Sequence, residues 1–379
     1  MTSFDSNLPS ILFGAFDRHN FGDLLFPHIV AATQPSDNLT YAGLAERDLR
    51  RYGGHQVRAL AQLSAELGDR PVNIIHVGGE LLTCSAWQAA VMLLPPDEVQ
   101  DTLRYFETRP DEQWAWLRKT LGVSSLAPYT MPRSLFPGAV KVIYNAVGGV
   151  DLDKLDAAMR AEVLAKLAAA DDVSVRDHRT HSLLNAAGIP ARLATDPVAM
   201  VADLFGDRIG AHARRGEVGE VVRAFPQGYI AVQFSADFGD DETLTGIAGQ
   251  LDQAAASTGL AVVFFRAGAA PWHDDLDCYR RTADRMKTKA VRVFESLDIW
   301  DICALISRSR AYCGSSLHGR IVAAAFGLPR VGLLHSSQGG QITKQGAYAE
   351  TWESPAMPTT VGVQGIFNGI QRVLSAGWK

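Results

Sequence analysis

The sequence is poor in cysteine and has no long hydrophobic run. Its 379 residues contain four cysteines, none in C-x-x-C spacing, which argues against a disulfide framework or a cysteine zinc site and fits a reducing compartment. The N-terminus has neither a basic segment nor a long apolar one, so no signal peptide is predicted. Residues 321–334 are apolar but are interrupted by Gly327, Pro329 and Arg330, and they are too short to span a bilayer. We therefore expect a soluble, cytoplasmic protein with no integral membrane segment.

The sequence also lacks an excess of positive charge, with 36 Lys and Arg against 41 Asp and Glu. The net charge is −5 and the isoelectric point is about 6.1, whereas nucleic-acid-binding domains are normally basic. No clustered set of His, Cys and Asp has metal-ligand spacing, so neither a metal nor a cofactor is predicted. The patterns G-x-G-x-x-G, G-x-x-x-x-G-K-[ST] and G-x-S-x-G are not found, which argues against a dinucleotide site, a P-loop and a serine-hydrolase elbow.

Short apolar runs alternate with helical patterns along nearly the whole chain. Strands are predicted at residues 11–16, 72–77, 140–146, 192–194, 229–234, 260–265, 291–294, 310–313 and 330–333, and helices at 152–169, 177–187, 242–257, 298–307, 317–326 and 362–376. This alternation predicts βαβ units and parallel sheets, hence an α/β fold of two Rossmann-like domains facing a cleft.

The length suits two domains rather than one core. We place the N-terminal domain at 1–205, a glycine-rich linker at 206–228 and the C-terminal domain at 229–379. Residues 95–137, rich in Pro, Trp and charge, are expected to be an excursion of the first domain. Whether the last helix crosses back onto that domain stays open.

The segment from Cys313 to Arg320, CGSSLHGR, is the sharpest functional candidate. Ser315 or Ser316 can cap a helix that begins near Leu317, and a helix start offers backbone N–H groups and a positive dipole end to an anion. His318 falls in the first turn and can supply a proton. A Ser-capped helix with a purely structural histidine is the equally weighted alternative.

Three further segments lie at or just after strand ends, where parallel sheets bind ligands. Arg176, in Ser174-Val-Arg-Asp177, is expected to project towards the cleft, with Asp177 capping a helix; an Arg–Asp surface pair is the alternative. Asn20 and Asp23 lie in the turn Asn20-Phe-Gly-Asp23, and Glu80 ends His76-Val-Gly-Gly-Glu80. A simple capped turn and a solvated glutamate are the structural alternatives there.

Arg266 ends another predicted strand and can reach an anion in the second domain. His273, Asp274 and Asp275 behind it are interpreted as a solvated loop and a helix start.

Taken together, these segments resemble the polysaccharide pyruvyl transferase family. The resemblance rests on five motifs in order, Asn20-Phe-Gly-Asp23, Gly78-Gly-Glu80, Ser174-Val-Arg-Asp177, Asp196-Pro197 and Ser315-Ser-Leu-His-Gly319. It implies GT-B-like domains with an acceptor side (1–205) and a donor side (229–379), phosphoenolpyruvate as the donor, and a sugar or glycan as the acceptor. Arg176 is then a donor ligand together with Ser315, Ser316, Gly319 and Arg320. His318 is the acid, and Asp23 or Glu80 is the base.

Two positions depart from the family pattern. Some members carry an arginine where this chain has Ser316; Arg320 or Arg266 is the expected substitute. The glycine cluster ends in Glu80 rather than in a third glycine. A GT-B glycosyltransferase using a nucleotide sugar and a non-catalytic glycan-binding relative remain alternatives. The acceptor's identity, a lipid-linked acceptor included, and the oligomeric state are left open.

Overall fold

Two α/β units make up the chain in a computed structural model, which describes residues 8–34, 38–355, 357 and 360–376. The first unit ends at Pro197 and the second begins at Val198. Each unit has its own apolar core around its own sheet.

The first unit contains an eight-stranded sheet in the order β3-β4-β2-β1-β5-β6-β7-β8, parallel except where β3 runs antiparallel to β4. Its strands are β1 (Ser10–Phe13), β2 (Leu39–Gly43), β3 (Arg47–Asp48), β4 (Gln56–Ala59), β5 (Val72–His76), β6 (Ala139–Val147), β7 (Asp172–Val175) and β8 (Arg192–Leu193). Its helices are α1 (Phe21–Thr33), α2 (Leu60–Leu67), α3 (Ala86–Met92), α4 (Val99–Phe106), α5 (Pro110–Leu121), α6 (Ala157–Ala168) and α7 (His178–Ala186).

The second unit contains a six-stranded parallel sheet in the order β11-β10-β9-β12-β13-β14. Its strands are β9 (Tyr229–Gln233), β10 (Ala261–Phe264), β11 (Val291–Val293), β12 (Ala311–Gly314), β13 (Arg330–Leu333) and β14 (Thr360–Val361). Its helices are α8 (Val201–His212), α9 (Gly216–Ala224), α10 (Asp241–Thr258), α11 (Leu276–Arg285), α12 (Ile299–Arg308), α13 (Leu317–Ala325), α14 (Lys344–Trp352) and α15 (Ile366–Ser375).

Each sheet has a point where the strand order reverses, and open α/β sheets bind ligands there, outside the carboxyl ends of the strands. In the first unit the reversal lies between β1 and β5, and in the second between β9 and β12. These two switch points position the candidate site residues of each unit.

The segment predicted as a linker, 206–228, differs from the structure. Residues 201–224 form α8 and α9, which pack against α12 inside the second unit. Ile209, Val218 and Val221 are buried. Four of the five glycines that suggested a linker lie within these two helices, whose apolar faces pack into the second unit.

Helix α15 packs against β12, β13 and α10 of the second unit. Its apolar face, which includes Ile366, Ile370 and Val373, is fully buried there. Helix α15 is therefore part of the core of the second unit.

Candidate active site

The switch point of the second unit brings the predicted serines together with the end of β9. Ser315 and Ser316 follow β12, and Gln233 is the last residue of the adjacent β9. The Ser315 amide donates to the Gln233 carbonyl at 3.2 Å, and the Ser235 amide donates to Ser315 Oγ at 3.1 Å. These hydrogen bonds join the end of β9 to the end of β12, next to the serines that the sequence singled out.

Ser316 is the N-cap of α13, as its position before Leu317 predicted. Its backbone is extended, and its hydroxyl accepts the Gly319 amide at 3.2 Å, which satisfies one of the helix's unpaired donors. His318 lies in the first turn and is buried, with 8% of its surface exposed. The positive N-terminal end of the α13 dipole and the His318 imidazole therefore lie close together.

A chain of hydrogen bonds links this helix start to the end of β10. The Ser316 amide donates to Gln233 Oε1 at 2.8 Å, and Gln233 Nε2 donates to Asp274 Oδ1 at 2.8 Å. Asp274 Oδ2 accepts the Ala267 amide at 2.6 Å. Burial of the carboxyl raises the pKa of Asp274 to about 7, although these hydrogen bonds oppose the shift. Asp274 is therefore a partly buried anchor of the site, not the solvated loop residue that the sequence suggested.

Arg266 lies two residues after the end of β10 and keeps hydrogen-bonding capacity. Its Nη2 donates weakly to the Glu295 carbonyl at 3.4 Å, and its buried Nε has no hydrogen-bond partner among the described residues. Arg266 is thus a cation at the carboxyl edge of the second unit's sheet, the same edge at which Ser316 caps α13.

Arg320 and Gly319 have other roles than those predicted. Arg320 is fully buried and its guanidinium forms an ion pair with Glu353. A Cβ on Gly319 would lie 2.5 Å from Tyr312 Oη, so close packing of α13 against β12 requires glycine at this position. Some family members carry an arginine at the position of Ser316. Arg320 is not a substitute for that arginine, because its guanidinium donors are already engaged by the Glu353 carboxylate.

The first unit places Glu80 and Arg176 in direct contact. Arg176 Nη2 donates to Glu80 Oε2 at 2.8 Å, and Nη1 donates to the buried Asp196 at 3.0 Å. Arg176 is 2% exposed, so its guanidinium lies between two carboxylates instead of projecting outwards. Asp177 caps α7 through the Thr180 amide at 2.7 Å, as predicted.

Asn20 and Asp23 lie at the switch point of the first unit. Asn20 is the N-cap of α1 and accepts the Gly22 amide at 3.2 Å. Asp23, in the first turn, is 8% exposed and lies 3.9 Å from the guanidinium of Arg18. Gly79 follows β5 with a φ of 95°, and a Cβ there would lie 3.2 Å from Asp23 Oδ1. The glycine cluster therefore allows close approach to α1.

Sequence reasoning missed Gln233, Asp274 and Arg18. Gln233 is a buried polar residue that ends an apolar strand, and Arg18 follows the first strand. Gln233 is the second-last residue of the predicted strand 229–234, and Arg18 lies two residues beyond the predicted strand 11–16. A survey of polar residues within two positions of each predicted strand end would therefore have found both. Asp274 lies ten residues beyond β10, and no local pattern marks its contact with Gln233.

One group in the second unit has the residue types of a metal site. His212, Asp298 and Asp301 offer ligand atoms within 4.8 Å of one another. His212 Nδ1 lies 2.6 Å from Asp301 Oδ1, and Asp298 caps α12 through the Trp300 amide at 2.8 Å. These contacts join α8 to the start of α12, which accounts for the cluster as helix packing and capping.

Of the helices in the described residues, none combines the length and hydrophobicity that crossing a bilayer requires.

Solved structures with a similar fold are UDP-GlcNAc 2-epimerases. The enzyme from Neisseria meningitidis, bound to UDP-GlcNAc, aligns with a TM-score of 0.54 and 11% identity over 97% of this chain and 91% of its own. The enzyme from Methanocaldococcus jannaschii, in complex with UDP-GlcNAc and UDP, gives 0.54 and 12% over 98% and 94%. At these identities the likeness establishes the fold, and the predicted GT-B-like α/β class is confirmed.

A search among curated proteins finds no match. The model of the family described as polysaccharide pyruvyl transferase matches residues 129–337, which is more than half of the chain. The match includes the segments around Arg176, Arg266 and His318, whereas Asn20, Asp23 and Glu80 precede it. The resemblance seen in the motifs is thereby confirmed, and the chain belongs to the polysaccharide pyruvyl transferase family.

Proposed function

We propose that this protein transfers the pyruvyl group of phosphoenolpyruvate to two hydroxyls of a sugar or glycan as a ketal. The donor's phosphate and carboxylate bind at the start of α13, where helix amides, Ser315, Ser316 and the Arg266 guanidinium provide donors. Fixed dipoles and charges of this kind stabilise charge that develops during a reaction without having to reorganise.

In this mechanism His318 gives a proton to the methylene carbon of the donor, which becomes a methyl group. The neighbouring carbon gains oxocarbenium character and is attacked by one sugar hydroxyl. A second hydroxyl then displaces phosphate at the same carbon and completes the ketal. One hydroxyl proton restores the histidine and the other leaves with the phosphate, so the proton count balances.

Asp23 is the better of the two predicted bases for receiving a hydroxyl proton first. Its ion pair with Arg18 is long, at 3.9 Å. Glu80 instead accepts hydrogen bonds from Arg176 at 2.8 Å and from the Val150 amide at 3.1 Å. A carboxylate held by several donors is a weaker base, so we assign the base role to Asp23.

The observation that carries this proposal is His318 in the first turn of a Ser-capped helix at a switch point, inside the segment that matches the family. The test is phosphate release from phosphoenolpyruvate with a glycan acceptor. We expect His318→Ala to lower the rate at least 100-fold, as for loss of a general acid, while circular dichroism and melting temperature stay near those of the parent. Ser307→Ala, at an α12 serine outside the proposed site, is the control. Full activity of folded His318→Ala would remove the histidine from the mechanism.

Heat protection separates this function from the alternatives. A ligand that binds only the native state raises the melting temperature, and the increase grows with the logarithm of its concentration above the dissociation constant. We expect phosphoenolpyruvate to protect the protein and UDP-GlcNAc to have little effect. The reverse result would favour a nucleotide-sugar transferase. Protection by a glycan alone, without turnover, would favour a non-catalytic binding protein.

A further inference from the structure

Arg18 is a buried arginine whose hydrogen-bonding capacity is largely unused. It follows β1, at the switch point of the first unit, and is 9% exposed. Its Nη1 donates to Tyr129 Oη at 2.5 Å, and its Nε has no hydrogen-bond partner among the described residues. Its ion pairs with Asp17 and Asp23 are long, at 3.7 and 3.9 Å.

The carboxylate next to Arg18 in sequence is engaged elsewhere. Asp17 accepts the Leu44 amide at 2.6 Å and the Tyr129 hydroxyl at 2.7 Å. Its carboxyl is completely buried, and burial raises the pKa of Asp17. A buried guanidinium N–H without an acceptor is costly, and Nε of Arg18 is such a donor among the described residues. This unsatisfied donor, together with the long ion pairs, favours an oxyanion ligand near the guanidinium.

The start of α1 points to the same ligand chemistry. This helix has 13 residues, and its first-turn amides and dipole favour an anion. Arg18 Nη2 lies 3.9 Å from Asp23 in that turn, so the guanidinium and the helix end lie at one place. Across the switch point, Gly78 and Gly79 have φ values of 128° and 95° and carry no side chain that would fill it.

We propose that Arg18 and the first turn of α1 bind an oxyanion, either the phosphate of a phosphorylated sugar acceptor or the carboxylate or phosphate of the donor. This is a second anion site, separate in the chain from the one assigned above to α13. The substrate identity rests on the proposed function, but anion binding itself does not.

The experiment measures inorganic phosphate binding by titration calorimetry in an Arg266→Gln background, which weakens the α13 site. Adding Arg18→Gln should weaken the remaining phosphate binding by roughly 10- to 100-fold, as for loss of charge-assisted hydrogen bonds. Adding Arg50→Gln instead, at an exposed arginine that pairs with Asp48, should leave it unchanged. Equal phosphate affinity with and without Arg18, in folded proteins, overturns the proposal.

Glucose 1-phosphate, glucose and phosphoenolpyruvate then identify the source of the oxyanion. Arg18-dependent binding of glucose 1-phosphate assigns the site to the acceptor, and Arg18-dependent binding of phosphoenolpyruvate alone assigns it to the donor. Arg18-dependent binding of neutral glucose contradicts it. If Arg18→Gln does not fold, Arg18→Lys keeps the charge beside Asp17 but loses the planar fork of donors. We then expect a several-fold weaker phosphate affinity, and an unchanged affinity overturns the proposal. Because these assays need no turnover, failure of pyruvyl transfer would leave the result interpretable.

Discussion

The buried ion pair between Arg320 and Glu353 gives the sharpest test of whether the arginine that directly follows the Ser315–Gly319 motif is structural. Arg320 is fully buried, and the Glu353 side chain is 4% exposed. Arg330 Nε also donates to Glu353 Oε1, at 3.0 Å. Both arginines act against the effect of burial and lower the pKa of Glu353. One carboxylate thus balances two cations beneath α13.

The expected loss of stability in each variant depends on which buried charge is left without a partner. Removing one partner of a buried pair costs about 3–5 kcal/mol. Arg320→Leu leaves Glu353 with Arg330, so we expect about 3 kcal/mol, whereas Glu353→Leu leaves two arginines unbalanced and should cost about 5 kcal/mol. The double variant removes the buried pair altogether and should be more stable than the sum of the single effects by at least about 2 kcal/mol.

The assay is urea unfolding of the four proteins, combined with phosphoenolpyruvate affinity of each folded variant. We expect the double variant to bind the donor within about threefold of the parent, because only a structural pair is lost. The reasoning is refuted if Arg320→Leu keeps parental stability but loses donor binding. Arg320→Lys, which keeps the charge without the fork, should fall between the parent and Arg320→Leu in stability.

Three further outcomes are expected. The folded pKa of Asp274, about 7, lies above its usual 3.8, so the native state holds an extra proton between these pH values. The free energy of unfolding should therefore fall by about 2 kcal/mol from pH 4 to pH 8, a magnitude reduced because Asp274 is partly exposed. Asp274→Asn should flatten this part of the profile of urea midpoint against pH. Trp272 has a φ of 63°, so Trp272→Gly should be more stable than Trp272→Ala by about 1 kcal/mol, the reverse of the order in ordinary backbone; equal midpoints would show that no strain is present. Glu80→Gly removes an acceptor from Arg176 and should strengthen phosphate binding several-fold while lowering the melting temperature; unchanged phosphate affinity would mean that Arg176 remains inaccessible to anions.

The parts of the fold that the sequence predicted are those with uninterrupted apolar runs. Residues 72–77 and 330–333 are predicted strands that correspond to β5 and β13, since buried parallel strands are continuously hydrophobic. Strands β2 and β4 were missed, because they are short and partly exposed and mix polar with apolar residues. Their position towards one edge of the sheet depends on pairing that no local pattern encodes.

The site was predictable to the extent that capping chemistry is local. Asp177 and Ser316 cap the helices that their positions indicated. Asn20, which the sequence placed in a turn, caps α1, a helix that was not among the predicted ranges. The ion pairing of the arginines was not predictable, because each partner lies far away in sequence: Glu80 is 96 residues from Arg176, and Glu353 is 33 residues from Arg320. The sequence predicts which residues lie at strand ends. The pairing of an arginine with a carboxylate distant in sequence depends on how the chain packs.

The two departures from the family pattern act in the same direction on charge. Glu80 stands where the pattern has a third glycine, and it engages Arg176, the arginine that the resemblance assigns to the donor. Gly148 allows this contact, because a Cβ there would lie 2.4 Å from Glu80 Oε2. Ser316 stands where some members carry an arginine, so positive charge is reduced at both motifs. Arg266 and Arg18 each follow a strand and each retain a buried Nε without a partner among the described residues. The loss of positive charge at these motifs is the reason to test each of these two arginines for anion binding, Arg18 in the first unit and Arg266 in the second.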